Sequence, residues 1–150
     1  MGFALPAFTA SFYFDRYQYD NISGPGRDAV KIVGPAGSLG AGVGVGTDSG
    51  FALGTMVVGR FGSDIIQDQS NNTFGSVGAR VGATALGCVT LGVETGYRWN
   101  SLAEDHPYIG ADISGGLYTI GPFIGVALDP NTHYAFWDNS SVYFGIKIGG

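Results

Sequence analysis

No stretch of this sequence is apolar for anything near the roughly 18 residues that a membrane-spanning helix requires, so any crossing of a membrane must be made by strands. Cysteine is almost absent. Cys88 stands alone, which rules out an intramolecular disulfide. With no histidine or other base beside it in sequence, Cys88 reads as a small apolar residue and not as a catalytic thiol. Basic residues are scarce as well: seven Lys and Arg against twelve Asp and Glu give a formal net charge of −5. That balance, with no basic run, argues against a nucleic-acid partner. Charged residues make up only 13% of the chain, about half the share usual in a soluble domain. The opening Met1-Gly2-Phe3-Ala4-Leu5-Pro6 has neither a basic n-region nor a long apolar h-region, so it does not read as a signal peptide.

What is abundant is glycine, 27 of 150 residues, far above the usual share of about 7%. Much of it alternates with aliphatic residues. In the stretch 37–46, Leu39, Ala41, Val43 and Val45 share one face, while Ser38, Gly40, Gly42, Gly44 and Gly46 share the other. Eight such period-2 runs predict strands at about 8–19, 37–46, 51–61, 74–85, 89–99, 108–119, 123–128 and 142–148. The connections alternate in length. Short ones fall at 47–50, 86–88 and 120–122, with Gly available for positive φ. Long polar ones fall at 20–36, 62–73, 100–107 and 129–140. The pattern predicts one domain over residues 1–150: a closed, antiparallel, eight-stranded up-and-down β-barrel of the transmembrane type.

The charges decide the orientation. Soluble sheets turn aliphatics inward and charges outward, but a narrow membrane barrel reverses this. Here Arg60, Arg80, Arg98 and Lys147, together with Asp15, Glu94 and Asp112, fall on the Gly-rich face. They are expected to pair in the lumen as an ionic plug, the alternative being a narrow ion path or a weakly open pore. Glu94 is expected to be the most connected acid, with Arg98 four residues on along the same face. Leu53, Val57, Val81, Leu91, Val93, Ile113 and Ile146 are expected to point outward. Phe51, Phe61, Phe74, Tyr97, Trp99, Tyr108, Phe123 and Phe144 lie near strand ends, where interfacial girdles are expected.

Eight alternating strands, lumen charges and short turns opposed to long loops resemble the small outer-membrane barrels of the OmpA and OmpX type. The resemblance is one of pattern and covers nearly the whole chain. It implies a bacterial outer-membrane location, lipid around the barrel and long loops facing outside. The chain's ending, Ile146-Lys147-Ile148-Gly149-Gly150, departs from the terminal aromatic residue that such barrels carry. The expected role is structural and adhesin-like, with an extracellular or protein partner held by the loops. Tyr17, Tyr19, His133, Tyr134, Phe136 and Trp137 are the aromatic candidates for that contact.

No enzymatic activity, cofactor or metal is expected. Some barrels of this size are lipid hydrolases with His and Ser at the rim. His133 precedes Asp138, Ser140 and Ser141, so such a constellation could form in principle. His106 and His133 with Glu104, Asp105 and Asp138 lack diagnostic metal-ligand spacing. The glycines of 40–46 alternate along a strand with no helix after them, unlike a nucleotide loop. Two other readings fit the composition: a structural protein of a virion or other shell, and a soluble barrel whose aliphatic face lines a calyx for a lipid-like ligand.

Overall fold

The structure, a computed structural model, describes residues 3–19, 30–63, 73–100, 105–116, 120–130 and 139–149. They form eight strands: β1 (Phe3–Tyr19), β2 (Val30–Gly46), β3 (Ala52–Ser63), β4 (Thr73–Ala85), β5 (Val89–Asn100), β6 (His106–Gly115), β7 (Ile120–Leu128) and β8 (Asn139–Gly149). Each strand pairs antiparallel with its neighbour in sequence, and β1 also pairs with β8, so the sheet closes on itself. Closure gives most backbone groups a ladder partner and leaves no full-length edge, the condition for a sheet that lies in hydrocarbon.

The barrel is built inside out relative to a soluble one. Leu53, Val57, Val81, Leu91, Val93, Ile113 and Ile146 are all exposed on the outer surface, Val57 to 61%. Soluble monomers rarely expose contiguous apolar patches beyond a few hundred Å². The aliphatic face therefore does not line a calyx, as the soluble lipid-binding alternative required. The interior holds the charges together with two apolar clusters. One joins Tyr13, Ala36, Phe74, Tyr108, Phe123, Ala127 and Tyr143; the other joins Ala7, Met56 and Val58. Phe74, Tyr108 and Phe123 thus belong to the lumen and not to an outer girdle. Each shares the phase of an inward residue on its own strand: Phe74 with Arg80, Tyr108 with Asp112, Phe123 with Gly125. Phe51, Phe61, Tyr97, Trp99 and Phe144 do face outward.

Several strands begin earlier than their alternation predicts, and four of them do so through a proline. Expected starts at 8, 37, 108 and 123 follow Pro6, Pro35, Pro107 and Pro122, but the strands run through all four residues. The pairing shows why this is tolerated. Pro6 pairs with Val43, but the β1–β8 ladder begins only at Thr9. Pro35 pairs with Phe14, and the β2–β3 ladder begins at Ala36. Pro107 pairs with Tyr97 beyond the last β6–β7 pair, Ile109 with Leu128. Pro122 pairs with Ile146 beyond the other end of that ladder, Ser114 with Phe123. Every one of these prolines sits on an overhang paired on one side, where a missing N–H breaks no second ladder.

The connections follow from these limits. Short hairpins fall at 47–51 and 86–88; β6 ends at Gly115 and β7 begins at Ile120, so the expected turn at 120–122 lies within β7. At 86–88 the Cys88 N–H donates to Ala85 O at 3.2 Å, with positive φ at Leu86 (55°) and Gly87 (65°). Ala85 pairs with Val89, so the chain reverses within three residues, two of them at positive φ. The longer stretches of sequence, 20–29, 64–72, 101–105 and 129–138, join strand ends that lie at the opposite end of the barrel.

Candidate functional site

All seven charged side chains on the Gly-rich face are buried in the interior, Asp15 and Glu94 to within 1%. They form three groups stacked along the barrel axis. Nearest the long-loop end, Arg98 of β5 reaches Asp15 of β1 at 3.5 Å, and the Ser141 hydroxyl donates to the other oxygen of the same carboxylate. In the middle, Arg60 of β3 donates to Glu94 of β5 from Nε (3.1 Å) and Nη2 (2.5 Å), and the Tyr108 hydroxyl donates to Glu94 Oε1. Nearest the turn end, Arg80 of β4 donates to Asp112 of β6 from Nε (2.9 Å) and Nη2 (2.8 Å). Lys147 of β8 approaches the same carboxylate at 3.8 Å. Two of the three pairs are thus bidentate, the geometry in which guanidinium and carboxylate bind best.

Aromatic rings fill the space between the groups. The Arg60 guanidinium lies 4.9 Å from the Tyr143 ring centroid, and that of Arg98 lies 5.1 Å from Phe74. Both distances permit cation–π attraction, which is strongest where water is excluded. Tyr13, Phe123 and Tyr143 pack edge to face or tilted at 5.6–6.0 Å. The space left among Arg60, Arg80, Asp112, Phe123 and Lys147 amounts to about 20 Å³, room for a single water. Among the described residues the middle of the lumen is closed.

Glycine makes this packing feasible. Arg80 and Glu94 are direct cross-strand neighbours, yet each forms its ion pair with a more distant strand. To reach Asp112, the Arg80 side chain crosses Gly92, where a Cβ would stand 2.1 Å from Nη2. Arg80 cannot withdraw without leaving Asp112. Gly92→Ala is therefore expected to cost about 1–3 kcal/mol, the usual penalty for overpacking. At Gly59 a Cβ would meet nothing within 4 Å. Gly59→Ala is expected to be neutral or to stabilise by up to about 1 kcal/mol. Urea unfolding in detergent micelles compares the two, and equal midpoints would show that Arg80 does not depend on Gly92.

The partner of Glu94 differs from expectation. The residue bound to it bidentately is Arg60, two strands away, and Arg98 turns to Asp15 across the barrel. Tyr108 and Ser141 were not among the expected members of the network. Their phase along β6 and β8 was the available signal. Ser141, considered above as a hydrolytic nucleophile, is buried and committed to Asp15. His106 is also buried, with Nδ1 at 2.9 Å from Pro107 O and 3.7 Å from Asp129 Oδ2. Glu104, His133, Tyr134, Phe136, Trp137 and Asp138 lie outside the described residues. Tyr17 and Tyr19 are strand residues, opposite Ser141 and Asn139 in the β1–β8 ladder, and their side chains lie outside the described set. Among the described residues, no three His, Cys, Asp or Glu are grouped to hold a metal ion.

The chain is similar to a solved structure described as "De novo design of transmembrane beta-barrels", with a TM-score of 0.52 and 15% identity, covering 97% of this chain and 98% of that one. It also aligns with the "Solution NMR structure of de novo designed TMB2.3", at a TM-score of 0.48 and 9% identity, covering 95% of this chain and 94% of that one. No protein-family model matches the sequence, and no curated protein matches it. The first likeness shows a transmembrane-type β-barrel fold. No family model bears out the OmpA and OmpX type, so what stands of that resemblance is the closed eight-stranded barrel itself.

Proposed function

We propose that this chain is an integral outer-membrane β-barrel with a sealed lumen, acting as a structural and surface-interaction protein through its long loops. The observation that carries the membrane part is the inverted burial: an aliphatic belt outside and paired charges inside. Charged side chains are costly against lipid but satisfied where they can bond one another. The closed middle of the lumen favours a structural role over conduction. The loop role rests on the asymmetry between short and long connections and on the aromatic content of 129–138, which holds Tyr134, Phe136 and Trp137. Loops carried by a rigid scaffold are where recognition concentrates. No catalytic step is assigned to the chain.

Purification tests the membrane part. Heated and unheated samples should migrate differently on a gel in detergent, and removal of detergent should precipitate the protein. A protein that stays monodisperse without detergent would overturn the reading. The loop part has its own test. Asn139 and Ser140 belong to β8, so the last loop ends at 138 and not at 140. Replacing 131–138 with a short turn should leave heat-modifiable migration intact while removing adhesion to a surface or partner. Loss of folding would show that this segment belongs to the barrel.

A further inference from the structure

We infer that the turn end of the lumen is a binding site for a small monovalent anion, held by Lys147. Arg60 is matched by Glu94 and Arg98 by Asp15, which leaves Arg80 and Lys147 to share the single carboxylate of Asp112. Arg80 takes both oxygens of that carboxylate at hydrogen-bonding distance. Lys147 Nζ, at 3.8 Å, is beyond it and has no hydrogen-bond partner among the described residues. The side chain is nonetheless more than nine-tenths buried. The turn end thus carries one uncompensated positive charge on three unused N–H donors, a costly arrangement unless an acceptor arrives.

The surrounding space suits that acceptor. Lys147 lines a recess of about 110 Å³ at the mouth of the barrel, walled by Thr84, Thr90, Ser114, Gly87 and Gly116. The Thr84 and Thr90 hydroxyls lie 2.8 Å apart. One donates to the other, so the second retains a proton for a ligand. A second recess of about 150 Å³ shares these two threonines and is bordered by Arg80. Among the described residues, a small anion in the first recess meets an ammonium, a hydroxyl donor and no carboxylate but the one Arg80 already occupies. The site does not depend on the function of the loops or on which membrane holds the barrel.

The test is a titration of the folded protein in detergent micelles with sodium chloride or sodium nitrate. Sodium gluconate, a bulkier organic anion, holds ionic strength constant. Saturable amide shifts are expected at Thr84, Thr90, Ser114 and Lys147, and not in the Arg60–Glu94 layer. Lys147→Met should abolish the saturable component. The double change Thr84→Val with Thr90→Val, which removes both hydroxyls and leaves every charge in place, should weaken binding roughly tenfold, the effect of one hydrogen bond to a charged partner. It also serves if Lys147→Met fails to fold. Shifts that rise linearly with salt, or that persist unchanged in the double threonine variant, would overturn the proposal.

Discussion

Replacing Glu94 with Gln should destabilise the barrel by about 3–5 kcal/mol, the cost of stripping one partner from a buried ion pair. Glu94 is 1% exposed and accepts three hydrogen bonds, two from Arg60 and one from Tyr108. An amide keeps the shape but removes the charge and one acceptor oxygen. Arg60 would then remain buried against the Tyr143 and Tyr13 rings with no carboxylate. Tyr108→Phe, which removes one hydroxyl, should cost less, about 1–2 kcal/mol. The double variant Arg60→Met with Glu94→Gln should cost less than the sum of its parts, because no lone charge is left behind. Urea midpoints in detergent micelles give these values, with Arg60→Met alone as the fourth variant that completes the comparison. An unchanged midpoint for Glu94→Gln would mean that the middle of the lumen is hydrated and that the pair contributes nothing.

How far this network can be read from the chain alone depends on parity and on curvature. Parity is legible. A period of two places Asp15, Arg60, Arg80, Glu94, Arg98, Asp112 and Lys147 on one face, because a one-residue slip would turn every valine and leucine to the other side. The same parity argument places Phe74, Tyr108 and Phe123 inside. Proximity to a strand end is the weaker cue and misplaces them. Strand starts are obscured by Pro6, Pro35, Pro107 and Pro122, since a proline ends a central strand but not an overhang. Partner choice is not legible. The ladder makes Arg80 and Glu94 neighbours, but in a narrow barrel the inner surface is concave and long side chains reach past the adjacent strand. Gly78 lies between Arg60 and Glu94, and Gly92 beside Arg80, so the intervening strand presents no side chain to block either path. Which pairs form is thus fixed by the closed geometry, which local sequence does not specify.

The outward face makes the opposite demand, and a charge placed there should discriminate sharply between hydrocarbon and water. Val57 sits at the middle of β3, 61% exposed, between Ala41 and Ala79 on the flanking strands. In lipid vesicles Val57→Arg should reduce folding stability by about 2–4 kcal/mol, the cost of Arg near the bilayer midplane. Leu86, in the 86–88 hairpin and 83% exposed, is the control. Its backbone strain at positive φ is the same for Leu and Arg, and a charge at the rim should cost only about 0–1 kcal/mol. Both positions are open to the surroundings, so packing does not separate them; depth in the bilayer does. A water-soluble barrel would accept either arginine without loss. Val57→Arg and Leu86→Arg with equal unfolding midpoints in vesicles would show that the belt around Val57 does not face lipid. The aliphatic exterior would then have to be covered by another protein surface, as in a shell, and the membrane assignment would give way to that arrangement.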